Sequence, residues 1–324
     1  MSVLGIDEIT YCVDDLPTCR KFFLDWGLTL VAEHGSHCVF ECQNGCRVRV
    51  EDSSNRQRQG AAAAPSTLAE VVWGVQSEGD LEQFAAAVAG EPLFFDQRVN
   101  GVRRVGCLDP QGLRVCLQVT RKRELALECA QMNTWNAKPR VNQAAPMYEQ
   151  ARPIEVGHVV FFVADLARTA AFYQTKLGFC ASDTYPGRGA FLRCAADGGH
   201  HDLFLLQLPS GKTGLNHVAF TVRDIHEVFG GGLNFSRLGW ATQLGPGRHP
   251  VSSAYFWYFD CPAGGLVEYY ADEDQLTADW VPREFEPSAS IFAEWAIEGG
   301  LDGYTRRQRN AGSVEGQFLT EKKP

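Results

Sequence analysis

Residues 156–179, VGHVVFFVADLARTAAFYQTKLGF, and residues 6–28, IDEITYCVDDLPTCRKFFLDWGL, are two copies of one pattern. Each runs from an apolar strand through an aspartate-leucine turn into an amphipathic helix, then to a glycine followed by an apolar residue. The helix carries paired aromatics, Phe22 and Phe23 in one copy and Phe172 and Tyr173 in the other. A repeat offset by about 150 residues means a duplicated domain, because each copy is a unit large enough to bury its own core. Each copy divides again. In the second half GHVVFFVADLARTAAFY and NHVAFTVRDIHEVFGGGL both pass from a strand through an aspartate turn into a helix, with short strands after each. In the first half DEITYCVDDLPTCRKFF and AEVVWGVQSEGDLEQFAAAV do the same. Four βαβββ modules therefore span about residues 5–271, an α+β chain in two domains of two modules each. Asp165 and Asp224 stand where N-caps of the following helices belong.

The boundaries follow from composition. Residues 1–122 form the first domain, and residues 123–152, rich in Asn, Ala, Gln and Pro, form a linker. Residues 153–272 form the second domain, and residues 273–324 a covering segment that ends in a polar, mobile tail after Gly312.

Three ionisable residues interrupt apolar runs of the second half: His158 in EVGHVVFFV, His217 in GLNHVAFTV and Glu268 in GGLVEYY. β-Branched and aromatic residues dominate these runs, so they read as strands. A buried imidazole or carboxylate loses hydration unless something pairs with it, and a metal ion is one such partner. Each residue alone reads equally as a hydrogen-bonded core group. Their positions in related segments favour a shared role, since two histidines and one carboxylate leave half of an octahedral shell open. The repeat sets Glu8 opposite His158 and Glu70 opposite His217, and puts Val115 or Cys116 opposite Glu268. The first half therefore lacks the set, and six of the eight histidines lie in the second half.

The chain of 324 residues has 45% apolar and 21% charged residues, ordinary for a globular enzyme. A net charge of −9 and only short basic clusters argue against nucleic-acid or acidic-membrane partners. The start, MSVLGIDEITYCVDDL, does not read as a signal peptide, and no apolar stretch reaches about 18 residues, so a cytoplasmic chain is expected. Eleven cysteines scattered through strand-like segments read as free thiols. Cys38, Cys42 and Cys46 fall on a strand-turn-strand pattern around Asn44-Gly45 that would scatter them, which disfavours a metal site there.

With His158 in GH, HDLFL from His201, LNHVAF around His217, and RHPVSSAYFWYFDCPAGGLVEYY carrying His249, Tyr258 and Glu268, the chain resembles the vicinal oxygen chelate superfamily. Within it the likeness is to two-domain type I extradiol ring-cleaving dioxygenases, and it covers about residues 5–272. The resemblance implies that each domain forms an open, incomplete barrel around a central site. It implies that His158, His217 and Glu268 hold Fe(II), or Mn(II), and that a catechol binds through both oxygens beside dioxygen and is opened to a muconic semialdehyde-type product. It also implies that His201 is the acid-base residue, that His249 and Tyr258 contact substrate oxygens, and that the protein is a homo-oligomer.

The chemistry asks for these types too, because a catechol must shed protons to chelate and a non-ligating histidine suits that task. Alternation along HHDLFLLQL would send His200 and His201 to opposite faces, so only one can serve; the histidine-aspartate-apolar pattern of the resemblance implies that it is His201, which leaves His200 as a surface residue at a loop end. Phe191 and Arg193, on one strand face, and Ser252 are further candidates for substrate contact. Ser252 stands where several biphenyl-type relatives carry an aspartate. Relatives that bind acid-bearing catechols place an arginine just before the histidine matching His249, whereas here Leu244 occupies the comparable region and Arg248 is the immediate neighbour. A carboxylated substrate is therefore disfavoured. Two rivals keep the fold: a metal-dependent isomerase or thiol transferase of the glyoxalase type, and a non-catalytic small-molecule binder. Glyoxalase-type enzymes usually draw a ligand from a fourth position, and Leu205 to Gln207 offers no histidine or acid there.

Overall fold

The structure is a computed structural model and describes residues 1–54, 66–99 and 101–298. The tail beyond Gly312 lies outside the described residues. Module one consists of β1 (Val3–Val13), α1 (Leu16–Asp25), β2 (Thr29–His34), β3 (His37–Glu41) and β4 (Arg47–Asp52). Module two consists of β5 (Thr67–Val75), α2 (Glu78–Val88), β6 (Phe95–Val99), β7 (Val102–Leu108) and β8 (Arg114–Val119). In module three β9 (Glu155–Phe162) leads into α3 (Leu166–Phe172), which runs on through one π-helical turn, then β10 (Cys180–Tyr185), β11 (Gly189–Arg193), the two-residue β12 (Gly198–Gly199) and β13 (Leu203–Leu206). Module four has β14 (Gly214–Thr221), α4 (Ile225–Arg237), β15 (Thr242–Arg248), β16 (Tyr255–Asp260) and β17 (Leu266–Ala271).

Helices α1 to α4 each start where a short polar side chain can accept from the first turn. Asp15, Asp165 and Asp224 accept from the backbone of Thr18, Arg168 and Glu227, and Ser77 forms a capping box with Asp80.

Modules one and two form an eight-stranded sheet in the order β2-β3-β4-β1-β5-β8-β7-β6. Modules three and four repeat that order as β10-β11-β13-β9-β14-β17-β16-β15. In both sheets the first strands of the two modules are antiparallel neighbours, and each is parallel to its own module's last strand. The registers match as well. Glu70 lies opposite Thr10 and Val72 opposite Glu8, as His217 lies opposite Val160 and Ala219 opposite His158. On the next strand Cys116 faces Val72 as Glu268 faces Ala219, so Cys116 is the counterpart of Glu268.

The halves join through helices crossing to the other sheet. Trp26, at the end of α1, stacks on Tyr269 of β17 with ring centroids 3.5 Å apart, and the Tyr269 hydroxyl donates to the Trp26 carbonyl at 2.7 Å. Tyr173, after α3, donates to Asp109 of the first half at 3.0 Å. Such fully buried aromatic pairs add about 0.5–1.5 kcal/mol beyond the area they bury. Between Val119 and Glu155 there is no helix or strand, yet the segment is tied down: Lys122 pairs with Glu155 at 2.8 Å and Tyr148 donates to Asp224 at 3.2 Å.

The residues after Asp272 contribute strands as well as cover. β18 (Gln275–Leu276) pairs with β12, and β19 (Arg283–Glu284) adds a parallel edge beside β10. The short α5 (Ala289–Phe292) then leads to β20 (Trp295–Glu298), which adds the opposite edge beside β15. The segment thus crosses the open side of the second sheet and covers both of its unpaired edges.

None of the eleven cysteines forms a disulfide. Cys42 and Cys46 close the β3–β4 turn, where Gly45 adopts φ 95°, and no cysteine joins a metal-competent group among the described residues. No helix among the described residues is long and apolar enough to cross a membrane.

Candidate metal centre

His158, His217 and Glu268 stand on three adjacent strands, β9, β14 and β17. His158 and Glu268 flank Ala219 on one rung, and His217 is two residues back along β14, so all three point to one face. Ala219, fully buried and with only a methyl group, leaves the space into which they converge. His158 Nε2 and His217 Nε2 each lie 3.2 Å from Glu268 Oε2 and 3.3 Å from each other.

That triangle fits one mononuclear metal ion. Donor atoms about 2.0–2.2 Å from an ion and at right angles to one another lie on the order of 3 Å apart. His217 Nδ1 donates to Asn216 Oδ1 at 2.7 Å, which leaves His217 Nε2 with its lone pair toward the triangle. His158 Nδ1 and both Glu268 oxygens are buried with no directed hydrogen bond. Burial pushes the His158 imidazole down to about 3 and lowers His217 as well. Burial also works to raise Glu268, but the three histidines around it win and hold the carboxyl well below its usual range. At neutral pH the set is two neutral imidazoles and a carboxylate, the protonation state in which these groups bind a metal.

A cavity of about 110 Å³ opens beside the triangle. His201, His249, Tyr258, Phe191 and Ser252, all singled out from the sequence, line it. The His249 Nδ1 donates to the Phe292 carbonyl at 2.5 Å, so its Nε2 faces the Tyr258 hydroxyl at 2.9 Å and Glu268 Oε1 at 3.7 Å. Burial, with Glu268 next, raises the Tyr258 phenol and keeps it protonated.

Two expectations are corrected. Arg193 does not enter the cavity. Its guanidinium turns away into backbone carbonyls of Ala181, Ala196 and Thr277 and the Ser182 hydroxyl, at 2.8–3.3 Å, which satisfies a buried cation. His200 is not a surface residue but fully buried. Strand alternation does not govern it, because His200 and His201 lie between β12 and β13 in irregular chain, where both rings turn inward with their Nδ1 atoms 3.2 Å apart. His200 Nε2 donates to Asp183 at 2.7 Å, and Asp183 in turn is clasped by Arg283. A carboxylate can only accept, so neutral His200 presents a bare Nδ1 and His201 supplies the proton between the rings. The Glu273 carboxylate, 3.2 Å from the same His201 Nδ1, favours that tautomer too. Nε2 of His201 is thereby left bare, able to take a proton.

Asp183, Glu273, Asn216 and Phe292 also escaped sequence reading. Asn216 had a signal, since it directly precedes His217 in LNHVAF. Phe292 had none, because it arrives from the tail. Among the described residues no lysine or arginine lines the cavity, whose wall away from the triangle is Tyr185, Phe191, Phe204, Leu206, Val251 and Ile291.

Residues 155–287 match the model of the Glyoxalase/Bleomycin resistance protein/Dioxygenase superfamily. That segment is a domain of this superfamily. Over 301 residues, 91% of this chain and 89% of the relative, the chain is 27% identical to Metapyrocatechase 2 of Cupriavidus necator. Over 118 residues, 35% of the chain and 40% of the relative, it is 33% identical to a 2,2',3-trihydroxybiphenyl dioxygenase of Sphingomonas paucimobilis. Among solved structures, a Mn(II)-bound glyoxalase from Novosphingobium aromaticivorans superposes with a TM-score of 0.76 at 22% identity, covering 96% of this chain and 97% of that one. A halotolerant catechol dioxygenase superposes with a TM-score of 0.70 at 18% identity, covering 91% and 94%. These superpositions show the fold, two domains of paired βαβββ modules in one α+β chain.

Proposed function

We propose that this protein is an extradiol dioxygenase that opens a catechol-type aromatic diol next to its two hydroxyl groups, with His158, His217 and Glu268 holding a mononuclear Fe(II), or Mn(II). The observation that carries the reading is the pairing of an open two-histidine, one-carboxylate face with a cavity whose remaining polar groups are proton-handling residues. Held by these three residues, such an ion would supply Lewis acidity toward the diol oxygens and electrons toward dioxygen. The near full-length likeness to Metapyrocatechase 2 supports the same reaction.

The side chains divide the remaining work. His201, with its proton fixed on Nδ1 by His200 and Glu273, takes a diol proton on Nε2 as the substrate chelates and can return it to the opened ring. His249 and Tyr258 hold the opposite side of the cavity, where the phenol donates to the bare His249 Nε2 and its oxygen can accept from a substrate hydroxyl. The walls of Tyr185, Phe191, Phe204 and Val251 enclose the ring and exclude water from it. Because the wall carries no cation, the favoured substrate is an uncharged catechol with apolar ring substituents rather than one bearing a carboxylate. By the register that pairs Glu268 with Ala219, the fourth position on β13 is Phe204, opposite Val160, and neither it nor the neighbouring Leu205 to Gln207 offers the histidine or acid that a glyoxalase-type set needs.

The test is oxygen uptake by anaerobically Fe(II)-loaded protein after admission of air, with 3-methylcatechol, 2,3-dihydroxybiphenyl and a trihydroxytoluene as substrates. At least one should consume oxygen and give a yellow ring-opened product. Stoichiometric metal binding without oxygen consumption on any of the three would overturn the proposal. In His201→Phe the metal should stay bound while turnover slows by about 10²-fold or more; loss of metal instead would remove His201 from its assigned role.

A further inference from the structure

The first half carries a cavity on the face equivalent to the metal site, and at about 790 Å³ it is far larger than the 110 Å³ cavity of the second half. The register that equates Glu8 with His158, Glu70 with His217 and Cys116 with Glu268 shows what became of the triad. Arg104 donates to Glu8 at 2.8 Å and lies 3.5 Å from Glu70, so a guanidinium occupies the role that a metal cation has in the other half. Cys116 donates its thiol proton to Glu70 at 3.0 Å. Arg121 binds Glu8 at 3.0 Å and Arg114 binds Glu70 at 2.8 Å. The carboxylates are therefore already neutralised.

Two more guanidiniums remain. Arg47 and Arg49 alternate on β4 with their side chains on the cavity face, Arg49 at the register position that Phe204 holds in the second half. Glu41 and Glu51 engage only their Nε atoms, and among the described residues no bond involves their terminal Nη nitrogens. In all, five arginines and three glutamates line the cavity. Burial, then Arg47 and Arg104 against the pull of Glu8 and Asp7, lowers the Arg121 guanidinium, and burial followed by Arg49 and His34 lowers the His37 imidazole. Between the charged groups the wall is apolar, with Val31, Val39, Val99 and Val102.

We propose that this cavity is a second ligand site, separate from the metal centre, that takes a small organic carboxylate through Arg47 and Arg49. A forked guanidinium matches a carboxylate with two parallel hydrogen bonds. The valine wall covers a hydrocarbon body, which an inorganic anion lacks. The volume falls within the roughly 300–1,000 Å³ of ordinary small-molecule sites. The proposal does not depend on the reaction assigned to the second half.

Titration calorimetry on the full chain tests it, with benzoate, phenylacetate and hexanoate as probes, and benzyl alcohol and inorganic phosphate as neutral and inorganic controls. At least one carboxylate should bind one to one, and more tightly than either control. Arg49→Gln and Arg47→Gln, each verified as folded by circular dichroism and melting, should weaken binding at least tenfold, while His217→Ala should leave it unchanged. Three results would each overturn the proposal: no binding by any of the three carboxylates, affinity unaltered in a folded Arg47→Gln or Arg49→Gln variant, or loss of binding in His217→Ala, which would put the carboxylate at the metal centre.

Discussion

Gly157 precedes His158 on β9, and a side chain there would strike the support of the metal site. A Cβ at this position would lie 1.9 Å from Tyr270 Oη and 2.6 Å from Thr221 Oγ1, two groups that hydrogen-bond to each other at 2.9 Å. Ordinary contact begins near 3.4 Å, so the Tyr270 hydroxyl must retreat by about 1.5 Å, the difference between 3.4 and 1.9. Tyr270 is 5% exposed and its ring centre lies 4.9 Å from that of His158, so it cannot retreat without disturbing the imidazole. Overpacking costs about 1–3 kcal/mol and the lost hydrogen bond about 1 kcal/mol, so Gly157→Ala should destabilise the protein by about 2–4 kcal/mol. Metal affinity should fall about 10–100-fold, as when other supports of a ligand are disturbed. Tyr270→Phe removes the nearest clashing atom, but the ring carbon at 2.7 Å remains, so the relief is partial. Urea unfolding of the two single variants and the double variant should show a favourable coupling of about 1 kcal/mol or more, with metal affinity measured by chelator competition. Strict additivity, or a Gly157→Ala variant within about 0.5 kcal/mol of the parent, would refute the reasoning.

Three further outcomes follow from the site. Glu268→Gln should lose metal more than a hundredfold in chelator competition, since the fold keeps its two imidazoles but loses the only ligand charge. Burial pushes His200 down to about 4, so its neutral form is favoured in the fold; that contribution is complete above about pH 6.5 and is lost as pH falls toward 4. In metal-free protein the stability gap between the parent and His200→Asn should therefore narrow between pH 7 and pH 4.5, as read by urea midpoints. Phe292→Ala should raise KM for an uncharged catechol several-fold with a smaller effect on kcat, because Phe292 closes the cavity with its ring, and its backbone carbonyl, which accepts from His249 Nδ1, is kept although the ring contact with His249 is lost.

Much of the architecture was legible because it rests on local rules. Apolar runs rich in β-branched and aromatic residues marked β1, β5, β9 and β14, aspartate turns marked the helix starts, and duplication allowed each module to be checked against three others. The triad was legible because ionisable residues inside apolar strands are costly enough to demand a reason. Distance in sequence hid the rest. Arg104 neutralises Glu8 from almost a hundred residues away, Arg283 reaches Asp183 from the tail, and neither contact leaves a mark in local pattern. His200 was misread by extending strand alternation into a segment that is not a strand. Arg193 was misread because alternation fixes the face from which a long side chain leaves the strand but not where its far end settles.

Mass spectrometry of the ring-opened product formed under ¹⁸O₂ is the most direct test of oxygen insertion at the triad. Both labelled atoms should appear in a single product, and Glu268→Gln should form none above background. A product without label, or with one labelled atom only, would contradict the account.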